Sequence, residues 1–226
     1  MASNTGAWLG IETSGSPGGV ALTSAGGVLL GESILPAAGS TSEHLLPALA
    51  SLMAETGMEG PLLGGIGVAA GPGSYTGLRI GVSTALGLSA GWSVRVKGVS
   101  TLRALAFEIR SGAPVLVALR ARRGEVFAAV FGSSDPLSEV LVEEGVYEAA
   151  SLMEAACDIG VSRATGSGLS ELSDDSFSRS DGHRGGPAPS TISILAARLE
   201  EAFGFDRSPV PVYLRGFREK ASPVVH

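Results

Sequence analysis

The spacing of apolar and polar residues divides the first half of the chain into short strands and amphipathic helices. Short apolar runs separated by paired glycines predict three strands joined by tight turns, over 7–12, 20–24 and 28–35. Apolar residues at helical spacing then predict a helix over 42–55, opened by a capping box at Ser40 and Glu43. Because Pro47 lies inside this segment, we expect the helix either to start near His44 or to bend near the proline.

Two strand–helix units follow this helix. A buried strand over 65–70 leads through a glycine-rich loop into a helix over 76–90. A strand over 93–97 then leads into a helix over 100–110. The order βββαβαβα describes a mixed sheet with helices on its faces. It is similar to the order in the ribonuclease-H-like lobe of the actin, Hsp70 and sugar-kinase superfold.

The pattern partly restarts in the second half of the chain. Three strands and two helices are predicted there: 115–119, 126–131 and 140–147, then 149–158 and 191–203. The stretch 166–190 is rich in Gly, Ser and Pro and has no periodicity, which predicts a flexible loop. We therefore expect an α/β protein of two lobes, a ribonuclease-H-like lobe over 1–110 and a shortened, degenerate lobe over 111–226.

The composition is that of a globular protein, because 44% of the residues are hydrophobic and 17% are charged. The formal net charge is −6 and the longest basic run is Arg122-Arg123, so we expect another subunit to hold most of any nucleic acid. Cys157 is the only cysteine, which fits a reducing cytoplasm. The N-terminal residues lack the features of a signal peptide, and no apolar stretch reaches the roughly 20 residues of a membrane span. We expect a cytoplasmic protein that does not enter a membrane.

The segment GPGSYTGLRIG, which begins at Gly71, has the composition of a loop built around a phosphate. The dinucleotide-binding fingerprint needs a third glycine where Thr76 stands, and a Walker A loop needs a lysine that this segment lacks. What remains is a helix N-terminus capped by Ser74 or Thr76, and such an end can attract an anion. The favoured alternative is a tight strand-to-helix turn around Gly71 and Gly73 with ordinary capping.

The helix behind this loop carries a ridge of small residues and, beside it, a ridge of apolar ones: Gly77, Gly81, Ala85 and Ser89, then Leu78, Val82 and Leu86. Small residues every four positions allow another element to approach the helix backbone closely. That element belongs either to the same subunit or to a second one. We favour a subunit interface, because the face is smooth, apolar and nearly uncharged.

No catalytic set emerges from the remaining polar residues. The three histidines are far apart in sequence, and with one cysteine they form no recognisable zinc site. Glu12, at the end of the first strand, could hold Mg²⁺ or a water molecule, and the turn with Thr13 and Ser14 could wrap a phosphate. A simple glycine hairpin is the favoured alternative for this turn.

Segments spread over nearly the whole chain resemble one known family. They are LGIETS, SEHLLPAL, GPGSYTGLRIG, VKGVSTLRALA, VLVALRARRGEVF and PVYLR. In these motifs the chain resembles the TsaB (YeaZ) family, the dimerisation subunit of bacterial threonylcarbamoyladenosine synthesis. The resemblance implies two lobes of the actin/Hsp70 type, a cytoplasmic location, no metal and no catalytic activity of the chain's own.

The resemblance also implies partners and an interface. Members of the family support the related catalytic subunit TsaD and the ATPase TsaE, which transfer threonylcarbamoyl to the adenosine beside the anticodon of ANN-decoding tRNAs. The expected states are a homodimer in isolation and a complex that holds tRNA indirectly, with ATP or ADP and Mg²⁺ as candidate ligands at the subunit junction. The interface residues carried over are His44, Leu45 and Leu49, then Gly77, Leu78, Gly81, Val82, Ala85 and Ser89.

Two residues depart from the family pattern. Glu12 stands where the family usually has Asp, and Arg120 stands where it usually has a second Asp. An arginine in place of an acid argues against a Mg²⁺ role at that position. The alternative function is a nucleotide-dependent phosphotransferase of the same superfold that uses Glu12 and the glycine turns. A third hypothesis, a metalloprotease-like activity, is disfavoured because the sequence lacks the histidine pair that would bind the metal.

Overall fold

The computed structural model describes residues 6–37, 40–172, 178–179 and 185–204, and this part of the chain forms two compact units. The first unit contains the chain up to Thr101 and also the segment from Gly186 that holds the last helix. The second unit contains the chain from Leu102 to Gly185. The predicted division after residue 110 differs from this, because one helix moves to the second unit and the last helix returns to the first.

A mixed five-stranded sheet forms the centre of the first unit. Its strands are β1 (Trp8–Glu12), β2 (Gly19–Thr23), β3 (Leu29–Ile34), β4 (Gly65–Gly71) and β5 (Val96–Ser100). The spatial order is β3-β2-β1-β4-β5, with antiparallel pairing among β1, β2 and β3 and parallel pairing among β1, β4 and β5. The predicted mixed sheet, with hairpins first and crossovers afterwards, is confirmed.

Helices cover both faces of this sheet. They are α1 (Thr41–Thr56), α2 (Tyr75–Trp92) and α5 (Pro189–Phe203). The other described α-helices, α3 (Thr101–Ile109) and α4 (Ala149–Ile159), lie in the second unit, apart from the first residue of α3. Leu9 and Ile11 of β1 pack in one core with α1 and α2. Gly10 points to the opposite face, where a Cβ would collide with the backbone of α5. The glycine therefore allows α5 to lie directly against the sheet.

The start of α1 differs from its prediction. Ser40 is the N-cap by backbone position, but its hydroxyl lies 2.6 Å from the hydroxyl of Ser42 and bonds no backbone N–H of the helix. The predicted capping box with Glu43 is therefore wrong. The helix runs through Pro47 as one element, so the expected start near His44 is wrong as well.

Polar side chains fix α5 against β2 and β3. The hydroxyl of Thr23 donates to that of Ser193 at 3.1 Å, and Ser193 donates to the carbonyl oxygen of Ser190 at 2.8 Å. The carboxylate of Glu32 accepts from the backbone N–H of Ser190 at 3.3 Å, in the first turn of a helix whose N-cap residue is Ala188. A carboxylate at a helix N-terminus is also favoured by the helix dipole. These long-range contacts hold the last helix in the first unit.

The second unit repeats the strand topology of the first. Its strands are β6 (Val115–Arg120), β7 (Glu125–Phe131), β8 (Val140–Glu148), β9 (Arg163–Thr165) and β10 (Ser178–Arg179). The order is β10-β9-β6-β7-β8, again with antiparallel pairing among the first three strands in sequence and parallel pairing among the others. The predicted three-stranded lobe is thus corrected to a five-stranded sheet. With three and two residues, β9 and β10 are too short to show a periodic pattern in the sequence.

The described residues of the stretch 166–190 include regular structure. Ser167–Glu171 forms a 3₁₀ helix whose Leu169 is buried in the core with residues of β6 and β7. This element follows the fourth strand of its unit, as α2 does in the first unit, so the second unit is shortened at its helices. Residues 173–177 and 180–184 lie outside the described residues, as do His183, His226 and the PVYLR motif. The ordered ends of the stretch correct the expectation that all of it is a flexible loop.

The small residues of α2 pack inside the first unit. A Cβ on Gly77 would collide with the carbonyl oxygen of Thr13, and a Cβ on Gly81 would collide with the hydroxyl of the same threonine. Ala85, one turn further along, is fully buried. The close approach that the ridge predicts therefore occurs within the subunit. The favoured alternative, a subunit interface through these three residues, is wrong.

We expect Gly77→Ala to destabilise the protein and Gly87→Ala to stabilise it, although both substitutions lie in α2. The new Cβ at position 77 meets backbone, so overpacking should cost about 1–3 kcal/mol. The new Cβ at position 87 has nothing within 4 Å, so the higher helix propensity of alanine should add up to about 1 kcal/mol. Midpoints of urea unfolding measure both changes. Shifts in the same direction would contradict the packing described here.

Candidate functional site

The glycine-rich loop before α2 lies against the hairpin that joins β1 to β2. The backbone N–H of Ser74 donates to the carbonyl oxygen of Ser14 at 2.7 Å. The hydroxyl of Thr13 donates to the carbonyl oxygen of Gly77 at 2.8 Å. A Cβ on Gly73 would lie only 2.5 Å from the Ser14 carbonyl oxygen. The loop and the hairpin therefore hold each other in place through backbone groups on both sides.

The loop itself is a tight strand-to-helix turn. Gly71 ends β4 with a φ of 109°, and the peptide bond to Pro72 is cis. Ser74 is the N-cap of α2, because its hydroxyl accepts from the backbone N–H of Gly77 at 3.2 Å. Thr76 lies inside the first turn and does not cap the helix. The structure thus favours ordinary capping by Ser74 over a loop built around a phosphate.

The polar residues after β1 form a hydrogen-bonded cluster around one carboxylate oxygen of Glu12. One carboxylate oxygen of Glu12 accepts from the backbone N–H and the hydroxyl of Ser14, both at 2.6 Å, and from the backbone N–H of Gly15 at 3.0 Å. Glu12, Thr13 and Ser14 are all buried. Gly186, just before α5, adjoins this cluster, since a Cβ there would lie 2.8 Å from the same carboxylate oxygen. The sequence gives no local sign of this last contact.

This cluster has the chemistry of a structural hairpin. The carboxylate satisfies backbone and hydroxyl donors of its own turn, and the Thr13 hydroxyl is bonded to α2. The geometry therefore favours the glycine-hairpin alternative over a phosphate-binding turn. A vestigial nucleotide site at Glu12, Thr13 and Ser14 stays a prediction. Among the described residues, no group of three or more His, Cys, Asp or Glu side chains is placed to hold a metal ion.

Arg120 makes a structural ion pair. Its guanidinium lies 3.3 Å from the carboxylate of Glu171 in the 3₁₀ helix and donates to the hydroxyl of Ser170 at 2.8 Å. The backbone N–H of Arg120 donates to Ser167 at 3.2 Å. The arginine that departs from the family pattern thus fastens the end of β6 to the 3₁₀ helix.

Most of the predicted interface residues face the interior of the first unit. On α1 these are Leu45 and Leu49, and on α2 they are Gly77, Leu78, Gly81, Val82 and Ala85. His44 and Ser89 are half-buried. Side chains buried against the chain's own sheet cannot form a surface for a partner, so this assignment is corrected.

The exposed sides of α1 and α2 form a different surface, which we call the outward face. It consists of small and apolar residues: Leu46, Pro47, Ala50 and Ala54 on α1, and Ser83, Leu86, Gly87 and Ala90 on α2. Leu46 is 54% exposed and Leu86 is 39% exposed. Because α1 and α2 contact each other, these residues lie on adjacent helices of one layer. Exposed apolar side chains on two adjacent helices are typical of a protein–protein contact.

Helical phase is the sequence signal that could have located this face. Successive residues of an α-helix are rotated by about 100°, so the residues of one turn point in different directions. Once Leu45 and Leu49 face the sheet, Pro47 and Ala54 must point away from it. The motif alone does not say which side faces the sheet.

We expect Ser14→Ala to cost stability and Ser51→Ala to cost almost none, although each serine donates to a glutamate. The Ser14–Glu12 bond is a buried hydrogen bond to a charged group, so its loss should cost about 1.5–3 kcal/mol, although two backbone N–H donors of the same oxygen remain. The Ser51–Glu55 bond, at 2.7 Å, is exposed, so water replaces it within about 0.5 kcal/mol. Urea unfolding of both variants tests the difference. Equal losses would mean that the cluster adds nothing to the hairpin.

Comparison with known proteins places the chain in a family. The family model for TsaD, tRNA N6-adenosine threonylcarbamoyltransferase, matches residues 34–177, more than half of the chain. The TsaB protein of Escherichia coli (strain K12), a tRNA threonylcarbamoyladenosine biosynthesis protein, is 33% identical over 93 residues, 40% of each chain. The TsaB protein of Bacillus subtilis (strain 168) is 34% identical over 137 residues, 60% of this chain and 59% of that protein. The matched segments thus span about two fifths to three fifths of these relatives.

Solved structures share the fold over nearly the whole chain. YeaZ from Pseudomonas aeruginosa superimposes with a TM-score of 0.71 at 20% identity, covering 92% of this chain and 99% of that one. A second structure, described as similar to the peptidase YeaZ from the same organism, gives a TM-score of 0.70 at 23% identity and covers 93% and 100%. No described helix is long and apolar enough to cross a membrane. Because the family model matches more than half of the chain, the chain belongs to the family that this model describes, and the curated relatives within reach of its sequence are TsaB proteins.

Proposed function

We propose that this chain is a non-catalytic scaffold and dimerisation subunit in the biosynthesis of threonylcarbamoyladenosine in tRNA. In this role it supports TsaD and TsaE, which transfer threonylcarbamoyl to the adenosine beside the anticodon of ANN-decoding tRNAs. Similarity to the curated TsaB proteins supports the pathway, because these relatives are named for it. The outward face of α1 and α2 is the observation that carries the scaffold role.

The outward face has the properties of a surface for another folded protein. Its two leucines offer apolar area, and its alanines and Gly87 let a partner helix approach the backbone closely. Glu43, Glu55 and Arg79 are charged positions on the same two helices, where a polar rim surrounds the apolar centre of an interface. Such a surface fits a layer of two helices on the partner, which a second copy of this chain or a related subunit of the same fold would supply.

A role without catalysis is supported by the state of the polar residues after β1. Glu12, Thr13 and Ser14 bond to their own chain, so they contribute to the fold of the hairpin. We place any ATP or ADP with Mg²⁺ at the junction with a partner subunit and not in this hairpin. The chain acts in the cytoplasm, as a homodimer in isolation and with TsaD and TsaE when they are present.

We expect Leu86→Arg to weaken both self-association and binding to TsaD roughly 30-fold or more, because the charged side chain lands in the centre of the apolar contact. Leu86 is the suitable position, since its neighbour Ala85 is fully buried and a variant there would test folding instead. Size-exclusion chromatography with light scattering gives the oligomeric state, and titration with TsaD gives the affinity.

Leu137→Arg is the matched control for this variant. Leu137 is 54% exposed in a loop of the second unit, so the same substitution should leave both associations unchanged. Circular dichroism confirms that each variant is folded. A folded Leu86→Arg protein that binds TsaD with wild-type affinity would contradict the assignment of the outward face as the partner-binding surface.

The decisive test of the proposed function is reconstitution. TsaD and TsaE of the same organism should modify an ANN-decoding tRNA transcript efficiently with this chain and at a level near background without it. Leu86→Arg should behave like omission of the chain, because the scaffold no longer joins the complex. The product is measured by mass spectrometry of the digested tRNA. Full modification without the chain would contradict the scaffold role.

A further inference from the structure

We propose that the turn between β6 and β7, residues 121–124, contacts the phosphate backbone of RNA through Arg122 and Arg123. This inference rests on the proposed function, because the complex it describes handles tRNA. It also goes beyond that function, which assigns RNA to the chain only indirectly. A contact through two residues remains compatible with a partner subunit that binds most of the RNA.

Two other arginines of the second unit, Arg103 and Arg120, have structural contacts. Arg103 donates to the carbonyl oxygen of Pro136 at 2.8 Å, and its guanidinium lies 4.6 Å from the centre of the Phe131 ring. Burial lowers the pKa of the Arg103 guanidinium below its usual value, and the nearby carboxylates offset only part of this effect. Arg120 is fastened to Glu171, as described above. Both guanidinium groups therefore already have partners within their own unit.

Arg122 and Arg123 have no such role. Both are exposed, and in the described part of the chain neither guanidinium forms a hydrogen bond or an ion pair. Glu125 and Glu148 lie opposite each other in the β7–β8 register beside the turn. The turn therefore presents two adjacent, exposed cations.

The backbone that carries these two arginines is held firmly. The N–H of Glu125 donates to the carbonyl oxygen of Arg122 at 2.9 Å, and Gly124 has a φ of 74°. The carbonyl oxygen of Gly124 accepts from the N–H of Ala149 at 3.2 Å, and its N–H donates to the carboxylate of Glu171 at 3.3 Å. The start of α4 and the 3₁₀ helix thus fix the turn. A fixed backbone reduces the entropy lost when the side chains bind a ligand.

The chemistry of two adjacent guanidinium groups selects a polyanion with closely spaced charges. Each guanidinium is planar and can donate two parallel hydrogen bonds to the oxygens of one phosphate. Successive phosphates of a nucleic acid offer such oxygens to neighbouring side chains. The net charge of −6 gives this chain no long-range attraction for RNA, so the contact acts at short range once a partner has brought the RNA close.

The test is a tRNA titration at several salt concentrations. The probe is an unmodified transcript of an ANN-decoding tRNA, titrated with the chain alone and with the chain assembled with TsaD and TsaE. Arg122→Gln/Arg123→Gln should weaken binding of the transcript by the assembly roughly tenfold. The plot of log binding constant against log salt concentration should become less steep by about 1.5–2, which corresponds to one lost phosphate contact per arginine. Arg122→Lys/Arg123→Lys should recover most of the slope, because it keeps both charges.

Arg110→Gln/Arg163→Gln is the matched control. It removes the same two charges from two other exposed arginines of the second unit, and Arg163 pairs in register with Val115 at the opposite end of β6 from the turn. We expect this variant to keep the wild-type affinity and salt slope. An equal loss in the control would reduce the effect to net charge and would overturn the assignment of the turn.

The outcomes separate this inference from the proposed function. Assembly with TsaD is measured first without RNA, and a failure there counts against the scaffold role alone, because titration of the isolated chain at the lowest salt concentration, where a phosphate contact is strongest, still reports on the RNA contact. An unchanged affinity and slope in the Gln variant overturn the RNA contact while the scaffold role stands. So does a wild-type protein that binds the transcript in neither form. If the Gln variant loses assembly but keeps its RNA affinity, the turn contacts an acidic protein surface and the RNA contact is wrong.

Discussion

Thr13 touches the backbone of α2 at Gly77 and Gly81, and the arrangement of the first unit depends on this contact. Because neither glycine has a Cβ, the helix lies directly on the turn after β1, and the threonine hydroxyl bonds to its first turn. Once one side of α2 is held there, the rotation of the helix about its axis is fixed. Leu86 must then face outward. The contact of Thr13 with α2 thus also determines which residues of this helix belong to the outward face.

The local elements of the first unit can be predicted because each is long enough to show its period. The helix predicted over 76–90 spans Tyr75–Trp92, and the strand predicted over 65–70 spans Gly65–Gly71. The next strand begins at Val96 and not at Ser93, because Ser93 has a φ of 57° and ends α2 as its C-cap. The periodic pattern of a sequence does not reveal a left-handed serine, so the boundary moves by three residues.

Contacts between distant segments decide what the sequence leaves open. A stripe of small residues looks the same whether it packs on the chain's own hairpin or on a second subunit, and Gly77 and Gly81 turn out to need the hairpin. The last helix follows the second sheet in sequence, yet it packs on the first. Ser190 and Glu32, which help to hold it there, are 158 positions apart. No local pattern encodes such a pairing, so neither the interface nor the unit boundary could be read from periodicity.

The two units share one strand topology but differ in the surfaces they can offer. Between its fourth and fifth strands the first unit has α2, with 18 residues, whereas the second has a 3₁₀ helix of five. A contact with a folded protein needs an extended apolar area, and only the longer helix supplies one. A contact with RNA needs a few well-placed cations, and a tight turn is sufficient for that. The first unit therefore offers a helical face to a folded partner, and the second unit carries two arginines on a turn whose backbone is held by its own contacts.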